Sequence, residues 1–172
     1  MKKTYLHRPN LRVTADFSDE DTPIFRYRLE ALKDGASRDP RTVCAIMQNP
    51  SYASVDIADK SVQVLERVVF EKGLVEFNGI ERLIIVNQFA FIQTQDFIGT
   101  DDKIGERNDE AIERAVNDSE IILIAWGKGN DFIQRQDQIL EIVRAKKEKT
   151  IFKTSRHPSR VIYEGFIQSF HI

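Results

Sequence analysis

Four short apolar segments recur along the chain and predict buried β-strands. They are rich in Val, Ile and Leu and carry few polar residues, as strands covered on both faces require. The four segments span residues 42–47, 82–87, 120–126 and 150–154. Strands of this kind are typical of a parallel sheet with helices on its two faces.

Amphipathic stretches between these segments predict α-helices, because their apolar residues recur at helical spacing. Asp59 or Ser61 is the candidate N-cap of the first helix, and Asn108 is that of the second. The first three helices are predicted over residues 59–72, 107–117 and 131–147. The inward residues predicted for the first two helices are Val62, Leu65, Val69, Ile112, Ala115 and Val116. Those predicted for the third helix, and for a last helix beginning at Ser159, are Phe132, Ile133, Ile139, Leu140, Val143, Ile162, Tyr163, Phe166 and Ile167.

The alternation of strands and helices predicts an α/β fold, a three-layer α/β/α sandwich around a central four-stranded parallel sheet. The first 40 residues do not follow this alternation. Residues 11–17 and 24–34 read as two strands joined by an acidic turn, which predicts an antiparallel hairpin at one sheet edge. We expect a single domain over residues 1–172, with the hairpin extension in 1–40 and the α/β core in 41–172. Residues 94–106 are predicted to form a polar loop.

Composition narrows the class of protein. Hydrophobic residues make up 41% and charged residues 30%, as in ordinary soluble proteins, and no apolar run reaches the roughly 20 residues of a membrane span. A start without an apolar signal region and a single cysteine, Cys44, predict a cytoplasmic protein with no membrane partner. The net charge of −2 gives no long-range attraction to nucleic acid, so any such contact needs a local basic patch.

Polar residues follow each of the four predicted strands. In a parallel sheet the carboxyl ends of the strands face one crevice, where ligands collect. The sequence therefore predicts that amides, a histidine, a serine and several cations meet at one rim. These residues are Gln48, Asn49, Pro50 and Ser51, then Asn87 and Gln88, then Trp126, Gly127, Lys128, Gly129 and Asn130, then Arg156, His157, Pro158, Ser159 and Arg160.

Each fragment alone also has a structural interpretation. Asn49-Pro50 is a common turn opener, and Ser159 after His157 is a plausible cap for the last helix. The cations Lys153, Arg156 and Arg160 fit a solvated surface as well as a phosphate site. Convergence of all four strand ends favours a ligand site, because folding does not require it.

Several standard sites are not predicted. The three histidines have no ligand spacing with Cys44, so neither a metal nor another cofactor is expected. The sequence contains neither a Gly-x-Ser-x-Gly elbow nor a Gly-x-Gly-x-x-Gly after a strand, which excludes the usual hydrolase and dinucleotide motifs.

With these residues in place, the chain resembles the bacterial and phage family called domain of unknown function 1643. That family has a strand ending in Met-x-Asn-Pro-Ser, a following Asp, a strand ending in Asn-x-Phe, a Gly-x-x-Asn-Asp stretch, an Ala-Trp-Gly strand end and a final His-Pro. The matching residues here are Met47, Asn49, Pro50, Ser51, Asp59, Asn87, Phe89, Gly105, Asn108, Asp109, Ala125, Trp126, Gly127, His157 and Pro158.

More distantly, the chain is similar to the uracil-DNA glycosylase superfamily, a three-layer α/β fold around a four-stranded parallel sheet. The superfamily's motifs are Gly-Gln-Asp-Pro-Tyr or Gly-Ile-Asn-Pro-Gly, a strand ending in Leu-Leu-Asn, a strand reading Leu-Leu-Trp-Gly, and His-Pro-Ser before a Gly-Phe. The fragments "MQNPS", "IIVN", "LIAWG" and "HPSRVIYEGF" correspond in the same order.

This second resemblance implies roles for the residues at the rim. Asn49 and His157 become the candidate catalytic residues, one positioning water and the other donating a hydrogen bond to the departing base. Asn87 would read the polar edge of a base, and Ser159 with Arg160 would meet a phosphate. The implied partner is a nucleobase, a nucleotide or single-stranded nucleic acid, and the implied activity is hydrolysis of an N-glycosidic bond. The full set of implied substrate-binding residues is Gln48, Pro50, Ser51, Asn87, Trp126, Gly127, Ser159 and Arg160.

Two departures from the superfamily favour an alternative. Met47 stands where the first motif has glycine, and the loop after His157 is one residue shorter and lacks the Pro-Leu wedge, leaving only Val161. Without a wedge, extruding a paired base is harder. The alternative is a non-catalytic module that binds nucleic acid or protein on the same fold.

Overall fold

The computed structural model describes residues 3–129 and 131–172 of the chain. Within these ranges, one mixed sheet of seven strands is flanked by three α-helices. The strands are β1 Leu11–Phe17, β2 Arg26–Lys33, β3 Thr42–Met47, β4 Arg82–Asn87, β5 Ile121–Ile124, β6 Thr150–Thr154 and β7 Ile167–Ser169. The helices are α1 Lys60–Phe70, α2 Asn108–Asn117 and α3 Ile133–Arg144, with short 3₁₀ turns at Val75–Phe77, Asp101–Lys103 and Pro158–Arg160.

The strand order across the sheet is β1-β2-β4-β3-β5-β6-β7. The four apolar strands β4, β3, β5 and β6 are neighbours and run parallel to one another. The β1–β2 hairpin adds antiparallel to β4, and β7 adds antiparallel to β6. The predicted α/β class is confirmed, in a sheet larger than four strands because antiparallel strands extend both edges.

Helices cover both faces of the sheet. Val62, Leu65 and Val69 of α1 pack on one face in a cluster with Met47 and Ala125. On the other face, α2 and α3 pack over the remaining strand residues, which include the buried Cys44. This second cluster takes its helical members from the predicted inward positions, namely Ile112, Ala115, Val116, Ile139 and Val143. The helical periodicity in the sequence therefore identified the buried helical residues of this cluster.

The predicted last helix is wrong. After the single turn Pro158–Arg160, the chain reverses and Ile167–Ser169 pairs with β6 as an edge strand. A positive φ of 64° at Gly165 makes this reversal possible, since glycine tolerates the left-handed region. Only one of the four predicted inward residues, Phe166, is buried. Four apolar and aromatic residues at helical spacing within a short segment were therefore interpreted as one face of a helix.

Two details of the predicted helices also differ. Ile133 was predicted to face inward, but it begins α3 and is 56% exposed, whereas Arg135 and Gln136 of the first turn are buried. Asn108 was predicted to cap α2, but it is the first helical residue, and Arg107 occupies the cap position. The Asn108 side chain instead points inward, where Nδ2 donates to the carbonyl oxygens of Asn87 and Gln88 at 2.9 and 3.0 Å.

A buried ion pair ties the N-terminal segment to α1. His7 Nδ1 lies 2.6 Å from Glu66 Oε1, and His7 Nε2 lies 2.8 Å from the carbonyl oxygen of Ser54. Both partners are acceptors, so both ring nitrogens donate and the imidazole is protonated. Burial by itself lowers the pKa of His7, but the hydrogen bonds to Glu66 and Ser54 outweigh it and raise the pKa above 6.5.

We expect the His7→Gln variant to be less stable than the wild type by about 2 kcal/mol at about pH 6. A raised folded-state pKa contributes stability that is present below the unfolded value and lost as pH rises through the folded value. The difference between the proteins should therefore shrink toward about pH 9. Urea unfolding across this pH range measures it, with the exposed His171→Gln as control. A deficit that does not change with pH would show that the His7 charge is not involved.

Candidate functional site

A cavity of about 840 Å³ lies beyond the carboxyl ends of the parallel strands. Of the ten residues predicted for the site, eight line it, whereas Pro50 and Asn87 are buried beside it. The predicted residues in the wall are Gln48, Asn49, Ser51, Trp126, Gly127, His157, Ser159 and Arg160. The strand ends therefore meet at one cavity, as parallel topology requires. Asn130, also named at this rim, lies outside the described residues.

The loop after β3 is fixed by the Asn49 side chain. Asn49 Nδ2 donates to the carbonyl oxygen of Gln93 at 2.7 Å and to that of Pro50 at 3.2 Å, while Oδ1 accepts from Gln48 Nε2 at 3.3 Å. Both donor hydrogens of the amide are thus engaged in holding two loops together. Asn49 has a clear structural role, and only its Oδ1 has acceptor capacity left for a ligand or water.

The hydrogen bonds of His157 define its tautomer. Nδ1 accepts from the backbone N–H of Ser159 at 3.2 Å and lies 2.8 Å from Ser159 Oγ. Because a backbone N–H can only donate, Nδ1 carries no proton and the neutral ring bears its hydrogen on Nε2. Burial lowers the pKa of His157, Asp59 opposes this shift and Arg160 adds to it. At neutral pH, His157 therefore presents an Nε2–H donor, which makes no hydrogen bond to any described residue.

Gly127 sets the position of His157. It has a positive φ of 86°, and a Cβ added there would lie 3.0 Å from the backbone N of His157 and 3.2 Å from its Cβ. The end of β5 thus runs directly against the loop that follows β6. Only glycine satisfies both the backbone conformation and the spacing.

Asp59 is a site residue that was predicted only as a helix cap. Its Oδ1 accepts from the backbone N–H of Val62 at 2.9 Å, which caps α1. The residue also lines the cavity, is 6% exposed, and acts electrostatically on His157. The sequence indicated Asp59 as a helix cap. Because that explained the residue, no place in the cavity wall was predicted for it. Only the tertiary structure shows that the start of α1 faces the end of β6.

The cavity is locally basic in an acidic chain. Four cations line it, Lys60, Lys128, Arg156 and Arg160, against two carboxylates. None of these four makes an ion pair or a side-chain hydrogen bond with the residues that the structure describes, although eleven ion pairs occur elsewhere. Unpaired cations around a cavity favour an anionic ligand.

Aromatic residues form part of the same wall. Phe97 and Trp126 line the cavity together with Tyr52. Phe97 is held edge-to-face against Phe89 and Phe132, with ring centroids 5.2 and 5.9 Å apart. Rigid aromatic rings beside a cavity can stack on a planar ligand. The sequence predicted only a polar loop over residues 94–106, because a single phenylalanine among polar residues carries no periodicity.

Two kinds of site can be judged directly from the described residues. No group of three or more His, Cys, Asp or Glu able to hold a metal ion occurs among them. None of their helices is long and apolar enough to cross a membrane.

The chain was compared with protein-family models. The model described as "Protein of unknown function (DUF1643)" matches residues 26–159. Neither a curated protein nor a solved structure matches the chain. The resemblance to the uracil-DNA glycosylase superfamily thus stays a prediction from the sequence.

Proposed function

Because the chain belongs to the DUF1643 family of proteins of unknown function, we propose a function from its cavity: it binds a nucleobase or nucleotide, free or in single-stranded nucleic acid. The observation that carries this proposal is the combination of four unpaired cations, aromatic rings and one free imidazole N–H around a single cavity. Such a wall complements three groups of a ligand. The cations match a phosphate, the aromatic rings match a planar base, and the imidazole N–H matches an acceptor on that base.

The charge distribution supports binding of phosphate at the rim. Arg156 and Arg160 are exposed on the loop around His157, and Lys60 begins α1. The N-terminus of a helix carries partial positive charge and unpaired N–H groups, which add to the field of the lysine. Phe97 and Trp126 then lie where a base attached to that phosphate could stack.

We further propose that the cavity hydrolyses an N-glycosidic bond. Water attacks the sugar C1′, the C1′–N bond breaks, and its electron pair leaves with the base. The Nε2–H of His157 donates to the negative charge that develops on that base, which is a preorganised electrostatic role. The Asp59 carboxylate takes the proton of the attacking water, which the Asn49 amide cannot do. Solvent then protonates the base and deprotonates Asp59.

A second function is favoured by Met47. Its side chain lines the cavity and is only 2% exposed, so it fills space where a base would otherwise enter. Both amide hydrogens of Asn49 are also committed to loop contacts. These two features favour a module that binds nucleic acid or protein without chemistry.

Base release distinguishes the two functions. Single-stranded oligonucleotides carrying uracil or hypoxanthine, and free nucleoside 5′-monophosphates, are incubated with the protein, and freed base is quantified by chromatography. We expect release by the wild type and none by His157→Ala. Binding of these probes without release would identify the non-catalytic module. The absence of both binding and release would refute the proposed function.

We expect Arg156→Gln together with Arg160→Gln to weaken oligonucleotide binding and to lower its salt dependence. Each lost phosphate contact should reduce the slope of log affinity against log salt by about 0.7. Fluorescence anisotropy with a labelled single strand at several salt concentrations measures the slope. Arg114→Gln, on the exposed surface of α2 and paired with Glu110, removes the same charge per residue far from the cavity and serves as control. Equal slopes in all three proteins would contradict phosphate binding at this rim.

A further inference from the structure

A row of polar side chains crosses the sheet beneath the cavity. Asn87 pairs with Met47 across β4 and β3, and the registers of β5 and β6 place Thr154 at the same level on the far side. Arg26, the first residue of β2, lies on the other side of β4, where its backbone N–H donates to the carbonyl oxygen of Ala90. Polar residues therefore flank Met47 on both sides.

Several polar atoms of these side chains are buried without a hydrogen-bond partner. Arg26 and Asn87 are each 1% exposed, and Thr154 is 5% exposed. Arg26 Nε and Nη2, both polar atoms of the Asn87 amide and Thr154 Oγ1 have no hydrogen-bond partner in residues 3–129 and 131–172. Leaving a buried polar atom unpaired is costly. Several such atoms in one row are free to accept or donate hydrogen bonds to a ligand.

The free atoms of Arg26 lie on one edge of its guanidinium. Nη1 donates to the carbonyl oxygen of Ala53 at 3.0 Å, which fixes the orientation of the group. Nε and Nη2 then offer two parallel N–H groups on the opposite edge. That edge matches two adjacent acceptors, as in the bidentate recognition of O6 and N7 of guanine.

The charge near Arg26 favours a neutral acceptor pair over a second anion. Burial lowers the pKa of Arg26 to about 10, so the group stays protonated at neutral pH. The charge that acts on it is that of Asp59, which lines the cavity. An anionic ligand end at this depth would be repelled by Asp59. The O6 and N7 atoms of a purine accept hydrogen bonds without adding a full negative charge.

Met47 separates this row from the open cavity. Its side chain lines the cavity wall and pairs in register with Asn87. A methionine side chain is unbranched and adapts its rotamers more readily than Leu or Ile. Met47 is therefore the side chain that would have to rotate for a ligand in the cavity to reach the Asn87 amide and the free edge of Arg26.

Resting on the nucleotide-binding function proposed above, we infer that Arg26 selects a 6-oxopurine, guanine or hypoxanthine, by donating from Nε and Nη2 to O6 and N7. The Asn87 amide accepts from the N1–H of the same ring through Oδ1. Met47 turns aside to admit the base. Arg26 is thus a specificity-determining residue contributed by the N-terminal hairpin.

Calorimetric titration with nucleoside 5′-monophosphates tests this inference on the wild-type protein. Guanosine and inosine monophosphates should bind about 10- to 100-fold more tightly than adenosine or cytidine monophosphate. The 7-deazaguanosine analogue, which lacks the N7 acceptor, should bind about tenfold more weakly than guanosine monophosphate. These comparisons need no variant, so a failure of Arg26 substitutions to fold cannot obscure the answer.

The Arg26→Met variant should lose this preference while still binding nucleotides through their phosphate. Arg28→Met is the control on the same strand, because Arg28 pairs with Glu30 and Asp118 away from the row. Equal affinity of the wild type for all the monophosphates would overturn the role of Arg26 and leave the proposed function standing. Absence of binding by any of them would overturn both.

Discussion

The Asp59→Asn variant should release base about 10²- to 10⁴-fold more slowly than the wild type, the range expected for loss of a proton-transfer group. Asp59 lies in the cavity wall and its charge reaches His157. An amide of the same shape cannot accept a proton from water. The rate is measured as base freed from a single-stranded oligonucleotide under single-turnover conditions, so that product release does not mask the chemical step.

The Asp59→Asn substitution removes the proton acceptor but keeps the helix cap, so its effect on the rate can be distinguished from an effect on folding. Asparagine caps helices about as well as aspartate, so the N–H of Val62 keeps its acceptor. Some stability will be lost because Asp59 also offsets the buried charge of Arg26, and thermal unfolding measures that loss independently. Asp131→Asn is the matched control, since Asp131 is the other carboxylate of the cavity and is exposed. Equal rates for both variants would remove Asp59 from the mechanism.

The Gly127→Ala variant should lose about 3 kcal/mol of unfolding free energy and at least tenfold in nucleotide affinity. A Cβ at this position meets the backbone N of His157 at 3.0 Å, and alanine is strained at a φ of 86°. The loop that carries His157 must move to accept it. Urea unfolding and calorimetric titration with guanosine monophosphate measure the two effects.

Gly129→Ala is the control for this prediction. A Cβ on Gly129 meets no atom within 4 Å, and the residue lies two positions away in the same loop. Its stability and affinity should stay close to those of the wild type. If Gly127→Ala binds nucleotide as the wild type does, the contact between the β5 end and His157 is not needed for the site.

Much of the architecture was predictable because the core obeys simple periodicities. The four apolar segments became the four adjacent parallel strands, and the first three helices begin and end within three residues of their predicted bounds. The predicted hairpin is present at one edge of the sheet. Burial on both faces makes such strands recognisable in the sequence, since most positions along β3, β4 and β5 are apolar.

The edge strand β7 was not predictable in the same way. Its three residues, Ile167–Ser169, are too few for a period of two to be visible, and β6 supplies its hydrogen bonds. The spacing of the apolar residues therefore favoured a helix there. Pairing with a neighbouring strand overrode that local preference.

The location of the cavity could be predicted from the sequence, whereas most of the contacts between its residues could not. In the parallel sheet the polar strand ends lie at one cavity. Gln48, Trp126 and His157, which the sequence predicted at one rim, line it. Asp59 and Phe97 were not assigned to it, because a cap and a lone aromatic have sufficient local explanations. Arg26 was not predicted for the cavity, because the role proposed for it depends on the unpartnered edge of its side chain, which the sequence does not reveal.

Proton–nitrogen NMR of the histidine side chains tests the central claim most directly, namely that a nucleotide occupies the cavity against Nε2 of His157. The chain has three histidines, so each ring can be assigned. On titration with guanosine 5′-monophosphate, the His157 ring signals should shift and its Nε2–H should become observable as a hydrogen-bonded proton. Those of His171 should not change. Unchanged His157 signals at saturating nucleotide, or equal shifts at all three rings, would contradict the account.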